Sequence, residues 1–486
     1  MGSMSELPAN DDALSRTEQK ALPMYAGRVD VFPKAVKGTV RPVKWVVLAL
    51  LLAAYYLGAW IRWDRGPDAP DQALLIDLPN RRAYFFWIEI WPQEVYYFTG
   101  ILLLGAFGLF LATSIGGRVW CGFTCPQTVW TDLFMWVERL FNGDRAAQIR
   151  QSKSPWTVER VTRRGATHIA WIAISVLTGG AWVIYFNDAP TFVREFFVGD
   201  SPVAVYFFVG LFSLTTYLFA GWAREQVCTY MCPWPRFQSA LLDAESLVVT
   251  YQKDRGEPRA KHKKGESWDG RGDCIDCRQC VAVCPTGIDI RDGLQLECIG
   301  CGLCIDACNT IMDRVERPRG LIKFDTTRNQ ENRAAGRPES LRVVRPRTIV
   351  YVSILLVIST VMLVSLELRS SFGVNVLHDR NPLFVKLSDG GIQNGYTVKI
   401  LNKKREGRSY SLVVEGLESI EAQVVGAESA NGTPILTATP DAVAEYRVLV
   451  RQSPAKGRPE TQEFDFVLTE TVSGETIRES NVFRSP

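Results

Sequence analysis

Five long apolar segments interrupt an otherwise polar sequence. They span residues 45–62, 96–116, 167–187, 203–223 and 346–367. Each has about 20 residues with almost no charge, which is enough for a helix to cross the ~30 Å hydrocarbon core of a bilayer. The alternative, buried helices of a soluble protein, is disfavoured because five such segments occur with aromatic flanks. The pattern therefore predicts a five-helix transmembrane bundle.

The pattern changes after residue 370 to short runs in which apolar and polar residues alternate. These runs are Tyr396–Leu401, Ser409–Glu415, Ala444–Val450 and Glu463–Leu468. Turn residues separate them, as in Asn394-Gly395 and Ser473-Gly474. Residues 370–486 are therefore predicted to form an immunoglobulin-like β-sandwich. This region has no cysteine or methionine and one histidine, His378, so a docking or assembly role fits it better than copper storage.

The charges between the apolar segments predict their orientation. The loop between the third and fourth segments carries one basic residue, Arg194, against three acidic ones. The loop between the second and third is strongly basic, with Arg118, Arg139, Arg145, Arg150, Lys153, Arg160, Arg163 and Arg164. Because basic loops stay in the cytoplasm, we expect a bacterial inner-membrane protein with a cytoplasmic N-terminus and a periplasmic C-terminus.

A chain of 486 residues is long enough for several domains. The predicted domains are a flexible cytoplasmic tail (1–44), two membrane hairpins each with a cysteine motif and an interfacial helix (45–142 and 143–250), a cytoplasmic ferredoxin domain (251–345), the fifth transmembrane helix (346–367) and the periplasmic sandwich (370–486). The net charge of +3 is small. We expect the membrane but no nucleic acid as a partner.

Eight of the 12 cysteines form one run in the predicted ferredoxin domain. The spacing C-x2-C-x2-C-x3-C occurs twice, as in bacterial ferredoxins, where three cysteines of each run bind one 4Fe–4S cluster and the fourth binds the other. The predicted ligand sets are Cys274, Cys277, Cys280 and Cys308 for one cluster and Cys298, Cys301, Cys304 and Cys284 for the second. Zinc sites and disulfide frameworks fit this order poorly.

The other four cysteines form two C-x3-C-P motifs, Cys121 with Cys125 and Cys228 with Cys232. Each motif follows a two-span hairpin and precedes an amphipathic stretch. Apolar residues recur at helical spacing in both stretches, at Trp130, Leu133, Phe134, Val137, Leu140 and Phe141 and at Phe237, Ala240, Leu241, Ala244, Leu247 and Val248. This tandem repeat predicts a pseudo-two-fold axis along the membrane normal, with both cysteine pairs at the same depth.

Three uses of these four thiols remain open. They could form a four-thiolate site for a third iron–sulfur cluster or for copper, act as two redox dithiols, or be structural. A helix N-terminus after each motif is expected to lower the thiol pKa. Met231 is a further soft candidate ligand, although packing is its commoner role. His168 is expected to be a hydrogen-bonded histidine at the membrane interface, with metal ligation as the alternative.

The whole arrangement resembles the CcoG/FixG/RdxA family. The twin C-x3-C-P hairpins, the ferredoxin run, the fifth span and a sandwich opening with Asp379-Arg380-Asn381-Pro382-Leu383-Phe384 together carry this resemblance. The membrane unit is also similar to that of NapH and NosR electron-transfer proteins. The resemblance implies an inner-membrane protein that reduces Cu(II) to Cu(I) in the cytoplasm for assembly of the cbb-type haem–copper cytochrome oxidase.

The sequence thus predicts an oxidoreductase whose clusters supply single electrons, with Cys121, Cys125, Cys228 and Cys232 as catalytic copper-binding or electron-relaying residues. No nucleotide-binding motif is visible, so the expected donor is a partner protein or a quinol. The other expected partners are copper-delivery and oxidase-assembly proteins, and a homodimer is compatible with the sequence. Two alternatives remain, a quinol-linked conduit to another acceptor and a non-enzymatic assembly scaffold or redox sensor.

Overall fold

The computed structural model describes residues 31–66, 69–263, 265–430, 433–454 and 459–486. The chain divides into two compact units. One contains the chain up to Ile61 and Gln72–Leu356, and the other contains Arg62–Asp71 and Val357–Pro486. The twin ferredoxin run and both C-x3-C-P motifs belong to the first unit.

The helices of the described residues include long apolar spans and shorter segments that connect them or belong to the ferredoxin region. They are α1 (Val40–Leu57), α2 (Tyr96–Gly116), α3 (Pro126–Asn142), α4 (Arg145–Lys153), α5 (Val158–Ile184), α6 (Ala189–Val198), α7 (Val203–Thr216), α8 (Trp234–Leu241), α9 (Lys253–Gly256), α10 (Gln279–Ala282), α11 (Leu303–Arg314), α12 (Thr327–Ala334) and α13 (Pro346–Glu367).

Most of the strands lie in the C-terminal region. They are β1 (Leu74–Asp77), β2 (Arg82–Phe85), β3 (Ile88–Ile90), β4 (Val248–Tyr251), β5 (Ile322–Asp325), β6 (Phe372–His378), β7 (Val385–Lys386), β8 (Ile392–Asn402), β9 (Arg408–Glu415), β10 (Ile420–Val424), β11 (Glu428–Ala430), β12 (Thr433–Ala438), β13 (Ala442–Gln452), β14 (Thr461–Glu470) and β15 (Thr476–Arg484).

Each of the five predicted spans is confirmed as a helix long and apolar enough to cross a membrane. The helical segments are Val40–Trp60, Pro92–Gly116, Val158–Ile184, Val203–Ala223 and Pro346–Glu367. Three of them begin earlier than hydropathy indicated, since α1 and α5 start with turns that contain charged residues and the short helical turn Pro92–Glu94 precedes α2. Residues 40–44, assigned to the tail, are therefore helical, whereas residues 1–30 of that predicted tail lie outside the described residues.

The two predicted amphipathic stretches fold differently. The first is confirmed as α3, which begins at Pro126 directly after its cysteine motif. The second was also predicted as a helix, and that prediction is wrong beyond Leu241, where α8 ends. Val248 instead begins β4, which pairs antiparallel with β5 of the ferredoxin region and crosses the expected boundary at residue 250. A short apolar run fits either a helix or a strand, and here pairing with β5 decides the outcome.

A three-stranded antiparallel sheet, absent from the sequence prediction, connects the first two spans. Its strand order is β1-β2-β3. Tyr84 of β2 is buried, and so is Trp91, which directly follows β3. The sequence analysis predicted only aromatic residues flanking the spans in this region, because three-residue and four-residue strands give little periodic signal.

The second unit contains the predicted immunoglobulin-like sandwich. One sheet has the order β10-β13-β8-β6, with β7 paired to β8, and the other has the order β11-β12-β9-β14-β15. Alternate residues of both sheets face a shared apolar core. The rings of Tyr396 and Phe466, one from each sheet, lie 5.2 Å apart between centroids within it.

Candidate metal centres

The eight cysteines of the ferredoxin run line two separate cavities. The first is lined by Cys274, Cys277, Cys280 and Cys308. The second is lined by Cys284, Cys298, Cys301 and Cys304, with Cys280 at its edge. Each contains about 350 Å³ of space not filled by protein atoms, part of which is open to solvent. The structure therefore brings together each of the two cysteine sets that the spacing predicted, including the exchange of Cys284 and Cys308 between runs.

Left-handed backbone turns aim successive cysteines into the same cavity. In the first run Asp276 and Arg278 have positive φ angles of 49° and 52°. The equivalent residues of the second run, Gly300 and Gly302, have φ angles of 69° and 71°. Only the second run uses glycine, and a Cβ on Gly302 would lie 3.0 Å from Val40 Cγ1. The second run is thus the one packed against the membrane helices.

The walls of these cavities are apolar. Cys274 and Cys280 share a buried cluster with Ile290, Met312 and Ile322. Burial raises the pKa of the Cys280 and Cys298 thiols to about 12. An isolated thiolate is therefore costly here, whereas a bound metal stabilises the deprotonated thiol that ligates it. Four converging thiols in an apolar cavity fit a 4Fe–4S cluster.

Both membrane cysteine motifs form π-helical turns, at Trp120–Thr124 and Val227–Met231. Cys121 is buried, Cys125 and Cys228 are half-buried, and Cys232 is exposed. The two motifs lie close together, since Cys121 and Cys228 belong to one apolar cluster. The structure therefore gathers the two motifs into one set of thiols, called here the membrane thiols.

The predicted lowering of the thiol pKa is wrong for Cys121, Cys125 and Cys228. Burial raises the pKa of Cys121 and of Cys228 to about 12. At Cys125 the backbone N–H groups of Thr128 and Gln127 act in the expected direction, but burial outweighs them and the pKa is still raised. Removal from water thus dominates over the helix N-terminus.

Among the described residues, no group of three or more His, Cys, Asp or Glu side chains is placed as the ligands of a single metal ion, and the membrane thiols are no exception. The same is true of the cysteines of the two ferredoxin cavities, whose spacing along the chain suits a polynuclear cluster.

The membrane thiols lie directly against the second ferredoxin cavity. Cys121 and Cys228 belong to the same apolar cluster as Ile299, Cys301 and Leu303. The backbones also touch, since a Cβ on Gly122 would lie 2.9 Å from the carbonyl oxygen of Gly300. The two groups of cysteines therefore meet without an intervening layer of side chains at this point.

Two buried polar residues hold this junction together. Arg118 donates from Nη1 to the carbonyl oxygen of Cys298 (2.8 Å) and from Nη2 to that of Pro235 (3.1 Å). Gln238 of α8 accepts from the Cys121 thiol at 3.1 Å and donates to Thr113 at 3.3 Å. Sequence reasoning missed both, because residues so far apart in the chain carry no shared local signal.

Comparison with known proteins also separates iron–sulfur regions from a C-terminal immunoglobulin-like region. Family models described as a 4Fe–4S binding domain and a 4Fe–4S dicluster domain match residues 98–143 and 223–327. Together these regions contain all 12 cysteines. A third model, described as an Ig-like fold at the C-terminus of FixG, matches residues 362–486.

Several curated proteins are similar over most of their length. Nitrogen fixation protein FixG of Rhizobium meliloti is 46% identical over 88% of this chain and 87% of its own. Protein RdxB of Cereibacter sphaeroides is 45% identical, covering 95% and 97% of the two chains. Protein RdxA of the same organism is 47% identical, covering 83% and 86%.

Proposed function

Because this chain belongs to the FixG/RdxA family of iron–sulfur electron-transfer proteins, we propose that it reduces Cu(II) to Cu(I) at the membrane thiols. The reaction takes place on the cytoplasmic side of a bacterial inner membrane and supplies copper for assembly of the cbb-type oxidase. The basic loop between the second and third spans supports this orientation. In this arrangement the two hairpins are repeats, and the sandwich is periplasmic.

Two cysteine sets hold the resident cofactors in this proposal. The cavity of Cys274, Cys277, Cys280 and Cys308 and the cavity of Cys284, Cys298, Cys301 and Cys304 each hold one 4Fe–4S cluster. The clusters supply one electron at a time when bound. The protein supplies thiolates, an apolar wall that excludes water, and the contact with the membrane thiols described above.

The observation that carries the proposal is the gradient of exposure along the membrane thiols. Cys121 is buried against Cys301 and Leu303, whereas Cys232 is exposed. The neighbouring thioether of Met231 is also exposed, contrary to the packing role expected from sequence. One end of the set therefore touches the ferredoxin cavity, while the other can be reached by an ion from outside.

Sulfur at the exposed end suits the product of the reaction. Cu(II) becomes Cu(I) by taking up one electron, and thiolate or thioether ligands bind Cu(I) in preference to Cu(II). Cys232 and Met231 would therefore favour reduction by stabilising the reduced ion. Binding by this pair needs only two sulfur atoms and does not require all four thiols around one ion.

A second role for the membrane thiols is to hold a third iron–sulfur cluster. The region matched by the 4Fe–4S binding domain, residues 98–143, contains only Cys121 and Cys125. A cubane cluster needs four cysteine ligands, and Cys228 and Cys232 could provide the other two. In this version Cys121, Cys125, Cys228 and Cys232 would hold a third cluster, which would supply the electron that reduces Cu(II).

One experiment tests the copper proposal and separates the two roles. Full-length protein is prepared without oxygen, reduced with dithionite, freed of excess reductant and mixed with Cu(II) and a Cu(I)-specific chelator. The variants are Cys121→Ala with Cys125→Ala and Cys228→Ala with Cys232→Ala. The control is Ser239→Ala, an exposed residue of α8.

Both paired variants are expected to lose rapid Cu(I) formation, while Ser239→Ala keeps it. Wild-type rates in both paired variants would remove the membrane thiols from the reaction. Iron analysis of the same samples gives about eight atoms per chain for two clusters and about twelve for three. A fall from about twelve to about eight in the paired variants would assign the third cluster.

A further inference from the structure

A polar cavity lies beside the membrane thiols, between α3, α5 and the π-helical turn Tyr217–Ala223 that continues α7. The cavity has a volume of about 160 Å³ and is open to the outside. Its walls carry a histidine, a tyrosine, a tryptophan and two carboxylates, at His168, Tyr217, Trp171, Glu138 and Glu225. The reactions described so far use none of these groups.

His168 is held so that one ring nitrogen faces away from its partner. The Tyr217 hydroxyl and His168 Nδ1 are hydrogen-bonded at 2.9 Å. Trp171 packs edge-on against the imidazole, with 5.2 Å between ring centroids. Within the described part of the chain no side chain or carbonyl is hydrogen-bonded to His168 Nε2. That nitrogen is therefore available to a ligand in the cavity.

An ion pair fixes the opposite wall. Arg224 Nη2 lies 2.7 Å from Glu138 Oε2. The Arg224 guanidinium also lies 5.2 Å from the centre of the Trp171 ring. Both charges are thus compensated within the protein, and the wall presents a rigid, partly aromatic surface.

Glu225 connects this cavity to the membrane thiols. Its side chain is 8% exposed and accepts a hydrogen bond from Gln226 Nε2 at 3.1 Å. It lines both the polar cavity and a second cavity that reaches Cys228 and Ile299. Ile299 in turn lines the second ferredoxin cavity. A continuous series of residues therefore leads from His168 to the ferredoxin cysteines.

We propose that this cavity binds the headgroup of an isoprenoid quinol, which is the electron donor of the protein. The inference rests on the proposed function, which needs a donor and leaves it unnamed. The cavity is lined by residues of two membrane-spanning helices, α5 and α7 with its continuation, which a lipid-soluble carrier can approach from the bilayer. The two hydroxyls of the quinol ring can bond to His168 Nε2 and to a carboxylate of the cavity wall.

The chemistry balances with groups already present. Oxidation of one quinol to the quinone releases two electrons and two protons. The cysteine sets of the two ferredoxin cavities would hold the two one-electron acceptors, so that each bound cluster would take up one of the two electrons. One proton goes to Nε2 of His168 and the other to the carboxylate of Glu225. Both residues are within the cavity, and Glu225 lies on the side that faces Cys228.

The test divides one reduced sample between two oxidants. Full-length protein in lipid nanodiscs is reduced with dithionite, freed of excess reductant, and mixed without oxygen with either decylubiquinone or Cu(II). A site that oxidises quinol must also reduce quinone, because both directions pass through the same transition state. Recovery of the iron–sulfur absorbance gives both rates, and photolabelling with an azidoquinone locates the bound ring independently of turnover.

The variants are His168→Ala, Glu225→Gln and Tyr217→Phe, and the control is His262→Ala, whose ring stacks on Trp268 of the ferredoxin region. Re-oxidation by decylubiquinone is expected to become much slower in His168→Ala and Glu225→Gln, with the Cu(II) rate unchanged. The label is expected in α5 and in Tyr217–Glu225. His262→Ala should match the wild type with both oxidants.

Three results would overturn the quinol site. They are wild-type protein that decylubiquinone fails to oxidise, variants that react with it at the wild-type rate, and variants slowed equally with both oxidants. Azidoquinone label found only outside the cavity would also overturn the quinol site. If decylubiquinone reacts as expected and Cu(II) does not react with the wild type, the quinol site stands and the copper proposal falls.

Discussion

The carboxylate of Asp306 binds the start of the first membrane helix through Val40. Asp306 Oδ1 accepts from the backbone N–H of Val40 at 3.1 Å and from that of Thr39 at 2.9 Å, while Oδ2 accepts from that of Arg41 at 2.8 Å. Asp306 lies in α11 between Cys304 and Cys308 and is 2% exposed. A residue of the cluster-binding run therefore caps α1, whose own N-cap, Thr39, provides no side-chain cap.

Replacing Asp306 with Ala should loosen this junction. The change leaves backbone N–H groups at the start of α1 without their acceptor. Each buried N–H group without a hydrogen-bond partner lowers the free energy of unfolding by about 1–3 kcal/mol. We expect a marked fall in the thermal unfolding midpoint of the full-length protein in detergent. The matched control is Asp313→Ala on the same helix, where the carboxylate is exposed and pairs with Arg319. Equal midpoints for the two variants would contradict the capping role.

The local features of this fold could be predicted from sequence because their signals are local. Each span shows its own hydropathy, and the strands β8, β9, β13 and β14 show their own alternation. The cysteine spacing predicted two sets of four, and the structure gathers each set around a cavity. Where one short run fitted two structures, as at Val248, pairing with a distant strand decided the result.

The junction between the cysteine groups could not be predicted in this way. Gly122 and Gly300 are far apart in sequence, and neither has a local pattern that points to the other. A partial signal existed, since the second run has Asp306 where the first has Ala282, and Gly300 where the first has Asp276. Those differences mark the run that packs against the membrane helices, but they do not say what it packs against.

A buried cluster of charges should make stability depend on acid. Asp132 Oδ2 lies 2.8 Å from Arg41 Nη1 and 3.4 Å from Lys44 Nζ, and all three side chains are buried. Burial alone would raise the pKa of Asp132, but the charges of Lys44 and Arg41 hold it below its ordinary value. The ionised form of Asp132 therefore stabilises the fold above pH ~4, which is close to the pKa of Asp in an unfolded chain.

Stability from this cluster should be lost as pH falls through the depressed pKa of folded Asp132. Asp132→Asn leaves two buried cations unpaired at every pH, so we expect a loss of about 3–5 kcal/mol near neutrality and a smaller further loss in acid. Chemical denaturation across this pH range measures both. The control Glu159→Gln breaks an exposed pair with Arg163 and should change stability by less than about 1 kcal/mol. Parallel pH profiles for wild type and Asp132→Asn would contradict the prediction.

The exchange of ligands between the two runs can be tested at Cys284. It lines the cavity of Cys298, Cys301 and Cys304, although it follows Cys280 in sequence. Cys284→Ala should therefore lose the same cluster signal as Cys301→Ala in electron paramagnetic resonance of the reduced protein. Combining these two changes should add little, because both remove ligands from one cluster. Cys284→Ala with Cys277→Ala should lose both signals, and loss of only one in that double variant would contradict the exchange.

Close backbone contact at Gly122 should control electron flow between the two cysteine groups. A Cβ at this position would lie 2.9 Å from the carbonyl carbon and oxygen of Gly300 and 3.0 Å from Cys301 Cα. Because these neighbours are backbone atoms that cannot rotate away, Gly122→Ala must displace the membrane thiols from the second ferredoxin cavity. Overpacking of this kind costs about 1–3 kcal/mol, which should leave the protein folded and its iron content unchanged.

We expect the dithionite-reduced Gly122→Ala protein to transfer electrons to Cu(II) more slowly than the wild type, since tunnelling weakens steeply with distance. The matched control is Gly108→Ala in α2, where an added Cβ meets nothing within 4 Å. Anaerobic stopped-flow mixing gives the rate, and iron analysis shows that the clusters remain. A wild-type rate in Gly122→Ala at full iron content would mean that electrons leave the ferredoxin region by a route that avoids this contact.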